Sequence, residues 1–340
     1  MYTAPYGTFY STSIESPPEH RLPYRYGHLP TTYSSGTCPA MSFARKLSSI
    51  GSASKQSPPS SHKYIPPTDD DVRSVCPALN TMANHGYIPR DGRNLTFLTI
   101  YRALKECYGL STPLAIVLTL GGFLLIGRLP ICLPFTVPYM FAARNPDGSR
   151  SQPGVIDLKL VGRHGRVEHN ASLVHEDCPP GWIYPSIKIR HHWVKKLVGD
   201  VLPPVRGYGD AADEEEDDSF MHAWKQFTTR AYMSTLVSEA DVGRMRERRE
   251  RECEGKEMTD FHREIARGRM AIILGVWETS EELEDGKVKK GIPLPYLLTW
   301  LGEERLPEGW KPDHVQGLLD VNRRKKAIQR TAEAIAPAQM

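Results

Sequence analysis

Residues 73–94 read Arg-Ser-Val-Cys-Pro-Ala-Leu-Asn-Thr-Met-Ala-Asn-His-Gly-Tyr-Ile-Pro-Arg-Asp-Gly-Arg-Asn. A Cys-Pro step at Cys76-Pro77 lies near its start, and two turn signals, Asn-His-Gly-Tyr and Ile-Pro-Arg-Asp-Gly, follow it. Because proline lacks an N–H and has a φ of about −65°, Pro77 suits the first turn of a helix. The stretch therefore predicts a helix over Ala78–Asn84, with Cys76 immediately before it.

Cys76 is a candidate thiolate because of this position. A free cysteine has a pKa of about 8.5, and the N–H groups at the start of a helix lower the cost of a negative sulfur. The residues alone leave two interpretations open. One is a thiolate that ligates a metal, and the other is a buried structural cysteine at a helix start.

The whole stretch resembles, almost residue for residue, the proximal-ligand segment of the fungal heme-thiolate peroxidases, the family of chloroperoxidase and the unspecific peroxygenases. One departure is Val75, where that family usually has proline. The resemblance implies that Cys76 ligates the iron of heme b, since a thiolate ligand favours O–O cleavage. It also implies a reaction in which hydrogen peroxide halogenates, oxidises or oxygenates a small organic substrate, with halide as an optional partner.

A second family-like segment is Glu168-His169-Asn170-Ala171-Ser172. By resemblance, the Glu168 carboxylate, the main-chain carbonyl of His169 and the Ser172 hydroxyl bind a divalent cation next to a heme propionate. Oxygen ligands of this kind suit Mg²⁺ or Mn²⁺. The family has aspartate where this chain has Asn170, so one negative charge beside the predicted site is missing.

The third segment contains Gly268-Arg269-Met270-Ala271, where relatives carry a distal glutamate that acts as the acid–base. Arg269 stands at that position and cannot serve as a base. Three alternatives follow. Glu264 replaces the glutamate from a different helical face, or His169 alone transfers the proton. In the third, peroxide activation is impaired, and the protein is a non-catalytic heme binder on the same fold.

Helical periodicity without βαβ alternation predicts a mainly α protein. The resemblance covers residues 63–335 and implies that they form one helical domain. Residues 1–62, rich in Ser, Pro and Tyr, are expected to form a disordered tail. Apolar residues at helical spacing predict a helix over residues 96–108, with Asn94 or Thr96 as N-cap and Gly109 as its stop.

Three further segments carry structural expectations. Leu114–Gly127 is a continuous apolar run of about 14 residues, which favours a buried core helix over a membrane span of about 20. A membrane-anchored oxidase that uses this run is the weaker alternative. Ser238–Glu254 predicts a charged helix with a solvated Arg/Glu face, and Ser238 and Asp241 nearly match a capping box. The segment Glu303–Trp310 resembles the family's closing turn and is expected to contribute packing.

Composition limits the remaining function classes. The chain has 340 residues, and its net charge of +3 argues neither for nor against a nucleic-acid partner. In the most basic segment, Ser238–Glu254, acidic residues are interleaved with the basic ones, so no nucleic-acid partner is predicted. Its six cysteines form no CxxC pair, so neither a disulfide framework nor a zinc site is predicted.

The N-terminus lacks a secretory signal, which favours an intracellular location. Mitochondrial import from a start at Met41 is a further hypothesis, because the residues that follow are basic, Ser-rich and free of acids.

Overall fold

Helices dominate the part of the chain that the structure, a computed structural model, describes: residues 62–128, 154–201, 234–253, 258–282 and 286–335. The helices there are α1 Pro77–Asn84, α2 Phe97–Tyr108, α3 Thr112–Ile126, α4 Leu158–Val161, α5 His191–Gly199, α6 Glu239–Glu252, α7 Asp260–Val276, α8 Leu294–Glu303 and α9 Leu318–Ile335. The strands are β1 Leu95–Thr96, β2 Val155–Ile156, β3 Leu236–Val237, β4 Thr279–Glu282 and β5 Val288–Pro293. The predicted mainly α class is confirmed.

The strands form two small antiparallel sheets. In the first, β1 pairs with β2 so that Leu95 lies opposite Ile156. In the second, β5 lies between β3 and β4, with Val237 opposite Ile292 and Thr279 opposite Gly291. The first sheet joins the start of α2 to the segment before α4, and the second joins the start of α6 to the segment between α7 and α8.

The local signals of α1 and α2 are confirmed. Pro77 occupies the first turn of α1, and Cys76 is its N-cap residue. At α2, the Thr96 side chain accepts a hydrogen bond from the Thr99 N–H, and Gly109 ends the helix with a φ of 64°. A left-handed residue at this position favours glycine, and a Cβ there would also lie 2.6 Å from the His314 carbonyl oxygen.

The predicted core helix over Leu114–Gly127 is present as α3, but it is buried on one face only. Leu114 and Phe123 on the inner face are at most 2% exposed, whereas Val117 on the outer face is 53% exposed. Its continuous apolar sequence concealed this asymmetry, because it lacks the polar stripe that usually marks a solvent face. No helix in the described ranges is long and apolar enough to span a membrane.

The expectation of a solvated Arg/Glu face on α6 is wrong. Its capping box is complete, with both the Ser238 and Asp241 side chains bonded to the backbone. However, Arg246 is 2% exposed and Arg249 is 1% exposed. The helix packs against α9 and α7, and its arginines turn inward toward polar partners.

A tryptophan cluster connects the C-terminal segments to the first helices. Trp277 makes edge contacts with Trp300 and Trp310, at ring-centroid distances of 5.3 and 5.9 Å, and with Tyr108 at 6.4 Å. The indole N–H of Trp310 donates to the Cys107 carbonyl at 2.9 Å. The closing segment over Glu303–Trp310 therefore contributes packing, as expected, and it also contributes a buried carboxylate described below.

Residues 1–61 lie outside the described residues. The predictions of a disordered tail over residues 1–62 and of import from a start at Met41 concern this part of the chain. The intracellular location also stays a prediction.

Close packing between α6 and α9 makes Gly243 sensitive to substitution. A Cβ there would lie 2.6 Å from the Thr331 Cβ and 3.0 Å from the Ile328 carbonyl oxygen. We expect Gly243→Ala to lower the free energy of unfolding by about 1–3 kcal/mol, since helix α9 must shift. Gly121→Ala in α3 is the matched control. A Cβ there meets nothing within 4 Å, so we expect stabilisation of about 0.5–1 kcal/mol. Denaturant unfolding of both variants measures the difference, and equal effects would contradict the packing argument.

Candidate active site

An apolar cavity of about 250 Å³ lies between helices α1, α2, α3, α7 and α8. Its walls carry mostly aliphatic and aromatic side chains, including Ile100, Leu104, Phe123, Met270, Ile273 and Trp300. The lining also contains Cys76 on one segment and Glu168, His169 and Ser172 on another. The structure therefore brings four of the five predicted site residues to one cavity. A flat apolar macrocycle with a sulfur ligand fits this lining, because the walls are apolar and carry one cysteine.

Cys76 is a free, partly exposed cysteine at the N-terminus of α1. Its side chain makes no capping hydrogen bond to α1. Its carbonyl already accepts the first helical bond, from the Asn80 N–H at 3.1 Å. Its own N–H donates to the Ser74 hydroxyl at 3.1 Å.

The Asn80 side chain holds the backbone before Cys76. Its amide nitrogen donates to the Ser74 carbonyl at 2.6 Å, and its amide oxygen accepts from the Ser74 N–H at 3.0 Å. Because Ser74 in turn accepts from the Cys76 N–H, one side chain of α1 fixes the conformation of the whole ligand segment. Asn80 is 1% exposed, so water does not compete for these bonds.

Glu304, after α8, completes this network. Its carboxylate accepts from the Asn80 amide at 2.6 Å, and its carbonyl accepts from the Asn84 amide at 3.1 Å. The residue is 9% exposed and has a φ of 50°. Burial raises the pKa of Glu304 to about 7, although the Asn80 hydrogen bond and the charge of Arg73 lower it.

The segment that contains Glu168, His169 and Ser172 is held by buried arginines from α6. Arg246 donates to the Ala171 carbonyl at 2.8 Å, and Arg249 donates to the Ser172 carbonyl at 2.7 Å. Arg249 also pairs with Asp177 at 2.6 Å, and Asp177 accepts from the Ala171 N–H at 2.8 Å. Ala171 has a φ of 62°, a left-handed conformation that these bonds stabilise.

Glu168 and Ser172 are already engaged by protein groups. Glu168, which is 5% exposed, interacts with His164 Nδ1 at 2.6 Å. Burial raises the pKa of Glu168, while His164 and Arg269 oppose that change. The Ser172 hydroxyl accepts from the N–H groups of Val174 and His175 at 3.3 and 3.1 Å. In the described residues, no group of three or more His, Cys, Asp or Glu side chains is arranged to hold a metal ion.

His169 lies in the cavity wall as a neutral ring. Its Nδ1 lies 2.6 Å from the Asn170 carbonyl, which can only accept, so Nδ1 carries the hydrogen and Nε2 presents a lone pair. Burial lowers the pKa of His169 well below its usual value, and the charges of Arg269 and Arg246 lower it further. An Arg269 nitrogen, Nη1, lies 3.5 Å from His169 Nε2, and the other, Nη2, donates to the Val167 carbonyl.

Glu264, the fifth predicted site residue, is not brought to the cavity. Its carboxylate pairs with Lys325 of α9 at 2.7 Å and lies 3.8 Å from Arg267. Its side chain is 43% exposed. The helical face of α7 that carries Glu264 points toward α9, whereas the face with Ala266, Arg269 and Met270 lines the cavity.

Arg246, Asn80 and Glu304 were not predicted as site residues. A signal for Arg246 exists in the spacing of α6, because Val242, Met245, Arg246 and Arg249 follow the i, i+3, i+4, i+7 pattern of one buried face. No comparable local signal marks Glu304, whose partner Asn80 is more than two hundred residues away.

A family model for peroxidase, family 2, matches residues 62–315, which is more than half of the chain. The chain belongs to this family. Membership agrees with the sequence resemblance and with the helical fold around the Cys76 segment.

Individual relatives are similar to this chain over shorter stretches. An aromatic peroxidase, fscJ, from Fusarium equiseti is 35% identical over 34% of this chain and 27% of its own length. A chloroperoxidase from Leptoxyphium fumago is 29% identical over 35% of this chain and 27% of its own. An aromatic peroxygenase from Cyclocybe aegerita is 30% identical over 34% of this chain and 30% of its own. The chain thus spans less than a third of these relatives.

The raised pKa of Glu304 predicts a pH-dependent contribution to stability. Its folded-state pKa of about 7 lies above the ordinary glutamate value of 4.5 in the unfolded chain, so the contribution is complete below about pH 4.5 and is lost as pH rises through 7. We expect the free energy of unfolding of the wild type, relative to Glu304→Gln, to fall by about 3 kcal/mol over that interval. Denaturant unfolding at pH 4.5, 6 and 8 measures this difference. Glu303→Gln, which removes a charge from the same turn, is the matched control. A difference that does not vary with pH would contradict the buried, titrating carboxylate.

Proposed function

We propose that this protein is a heme-thiolate peroxidase or peroxygenase, which uses hydrogen peroxide to oxidise, oxygenate or halogenate a small organic substrate. One observation carries the proposal: Cys76 and the segment Glu168–Ser172, which are distant in sequence, line the same apolar cavity. Membership of peroxidase family 2 and the similarity to an aromatic peroxidase and an aromatic peroxygenase support it.

Cys76 is the residue proposed to hold the heme. A bound heme would supply the peroxide chemistry, and a thiolate ligand favours that chemistry by donating electron density. The chain's own contribution is a rigid ligand segment, which Asn80 and Ser74 hold through buried hydrogen bonds. Apolar walls exclude water and so leave the cavity open to an organic substrate.

His169 is proposed as the residue that accepts and returns the peroxide proton. It lines the cavity, and its Nε2 carries a lone pair, as a proton acceptor requires, although Arg269 Nη1 lies 3.5 Å from that nitrogen and must yield when the proton is taken up. Glu264 is less suited to this role, because its carboxylate pairs with Lys325 and does not line the cavity. Arg269 replaces the family's glutamate but stays protonated, so it contributes charge and not proton transfer.

A divalent cation, Mg²⁺ or Mn²⁺, belongs to the same proposal, with Glu168, the His169 carbonyl and Ser172 as ligands. Glu168 and Ser172 both line the cavity, which supports it. The hydroxyl of Ser172 already accepts two N–H bonds, so ligation requires a local rearrangement. Titration of Mn²⁺ into the heme-loaded protein and its Glu168→Gln variant, followed by paramagnetic resonance, tests the site. Equal or absent binding would remove the cation from the proposal.

Thiolate ligation predicts a distinctive spectrum. We expect the reduced, carbon-monoxide-treated heme protein to show a strongly red-shifted Soret band that disappears in Cys76→Ala. Cys107→Ala, which removes a buried cysteine of α2 that does not line the cavity, is the matched control and should keep the band. A wild-type spectrum without this band, or a band that survives Cys76→Ala, would overturn the proposed function.

Peroxide turnover separates an enzyme from a heme binder. We expect His169→Gln to keep the thiolate spectrum while turnover of a chromogenic donor falls about 10²- to 10⁴-fold, the usual contribution of an acid–base residue. His262→Gln is the control, because that ring lies 5.6 Å from His169 but outside the cavity lining. Unchanged turnover in His169→Gln would exclude it as the acid–base. A wild type with the thiolate spectrum and no turnover would establish the alternative, a non-catalytic heme protein.

A further inference from the structure

Arg269 brings a positive charge to the wall of an otherwise mostly apolar cavity. Its guanidinium is held by neutral groups, the Val167 carbonyl and the His169 ring. Among the described residues, no carboxylate lies within 4 Å of it. Glu168 is near enough for Arg269 to lower its pKa, but the Glu168 carboxylate is bonded to His164.

The second arginine in the cavity lining differs in this respect. Arg246 is 2% exposed, and Glu250 lies 3.2 Å from its Nη2 and 3.4 Å from its Nε. Its charge is therefore balanced within the protein, and its remaining nitrogen, Nη1, is bonded to the Ala171 carbonyl. Arg269 has no such internal counter-charge in the described part of the chain.

We propose that Arg269 binds the carboxylate of a ligand inside the cavity. This inference rests on the proposed function, since the ligand enters the heme-thiolate site. A guanidinium presents several donors in a plane that matches the two oxygens of a carboxylate, and an apolar environment strengthens such a bond. The Val167 carbonyl and the His169 ring already position Nη2 and Nη1 of Arg269. A ligand carboxylate would supply the negative charge that neutralises the guanidinium.

Two carboxylates fit this chemistry. One belongs to an organic substrate with an apolar body and one acid group, which the apolar walls and Arg269 would bind together. The other is a propionate of the heme itself, whose charge Arg269 would balance. The two sources are distinguished by which molecule loses affinity when the arginine is replaced.

The substrate arm uses calorimetric titration of the heme-loaded protein with phenylacetate and with its neutral analogue phenylacetamide. If a substrate carboxylate binds, phenylacetate should bind about 10- to 100-fold more tightly than the amide. That preference should vanish in Arg269→Gln and return in part in Arg269→Lys. Arg263→Gln is the matched control on the same helix, because its guanidinium pairs with Asp260 at 2.7 Å and does not line the cavity.

The heme arm compares the affinity of the apoprotein for heme and for heme dimethyl ester, which lacks both carboxylates. If a propionate binds, Arg269→Gln should lower heme affinity about 10- to 100-fold and leave ester affinity unchanged. Thermal unfolding of every variant shows whether it is folded. If Arg269→Gln does not fold, Arg269→Lys takes its place in the comparison.

The combined outcomes decide the inference. A carboxylate preference in either arm that depends on Arg269 supports it and identifies the source. The absence of such dependence in both arms overturns it. Failure of the proposed function is seen separately, in the spectrum of Cys76→Ala, because that measurement does not involve Arg269.

Discussion

The Asn80 side chain bonds both main-chain polar groups of Ser74, and through Ser74 it determines where Cys76 can lie. The backbone of a cysteine at a helix N-terminus must be held by groups other than the regular helical hydrogen bonds, because the first N–H groups of a helix have no partner within it. Here the partners come from inside the helix that the cysteine begins. Glu304 then orients Asn80 from the far end of the chain, so the cavity wall that carries Cys76 depends on the C-terminal segment being folded.

The cavity wall that carries Glu168, His169 and Ser172 is built on a different principle. Its loop carries a non-glycine residue in the left-handed conformation, Ala171, and no regular secondary structure supplies hydrogen bonds there. Buried guanidinium groups from α6 supply them instead, bonding the carbonyls of Ala171 and Ser172. Burying a charge is costly, and the carboxylates of Glu250 and Asp177 offset that cost. The charged sequence of α6 is thus structural, although it reads as a solvent-exposed helix.

These two walls show which features were predictable from sequence. Helix starts and stops at Pro77, Thr96 and Gly109 depend on contacts within a few residues, so local patterns indicate them. That Cys76 and the Glu168 segment line the same cavity was predictable only from the resemblance to the heme-thiolate peroxidases, since it depends on the whole fold. The ion pair of Arg249 with Asp177 joins residues far apart in sequence, and no short pattern indicates it. The outer face of α3 was expected to be buried but is exposed. An apolar sequence does not reveal which side of a helix other elements cover.

The arginine at position 269 changes the electrostatics of the cavity as well as removing a carboxylate. A glutamate can take up and return a proton, whereas a guanidinium stays charged. That charge lies next to the lone pair of His169 and lowers the pKa of the ring, so it weakens the base that we propose for proton transfer. A carboxylate bound to Arg269 would cancel much of this field. Anion binding at Arg269 and the basicity of His169 would therefore be linked through one guanidinium.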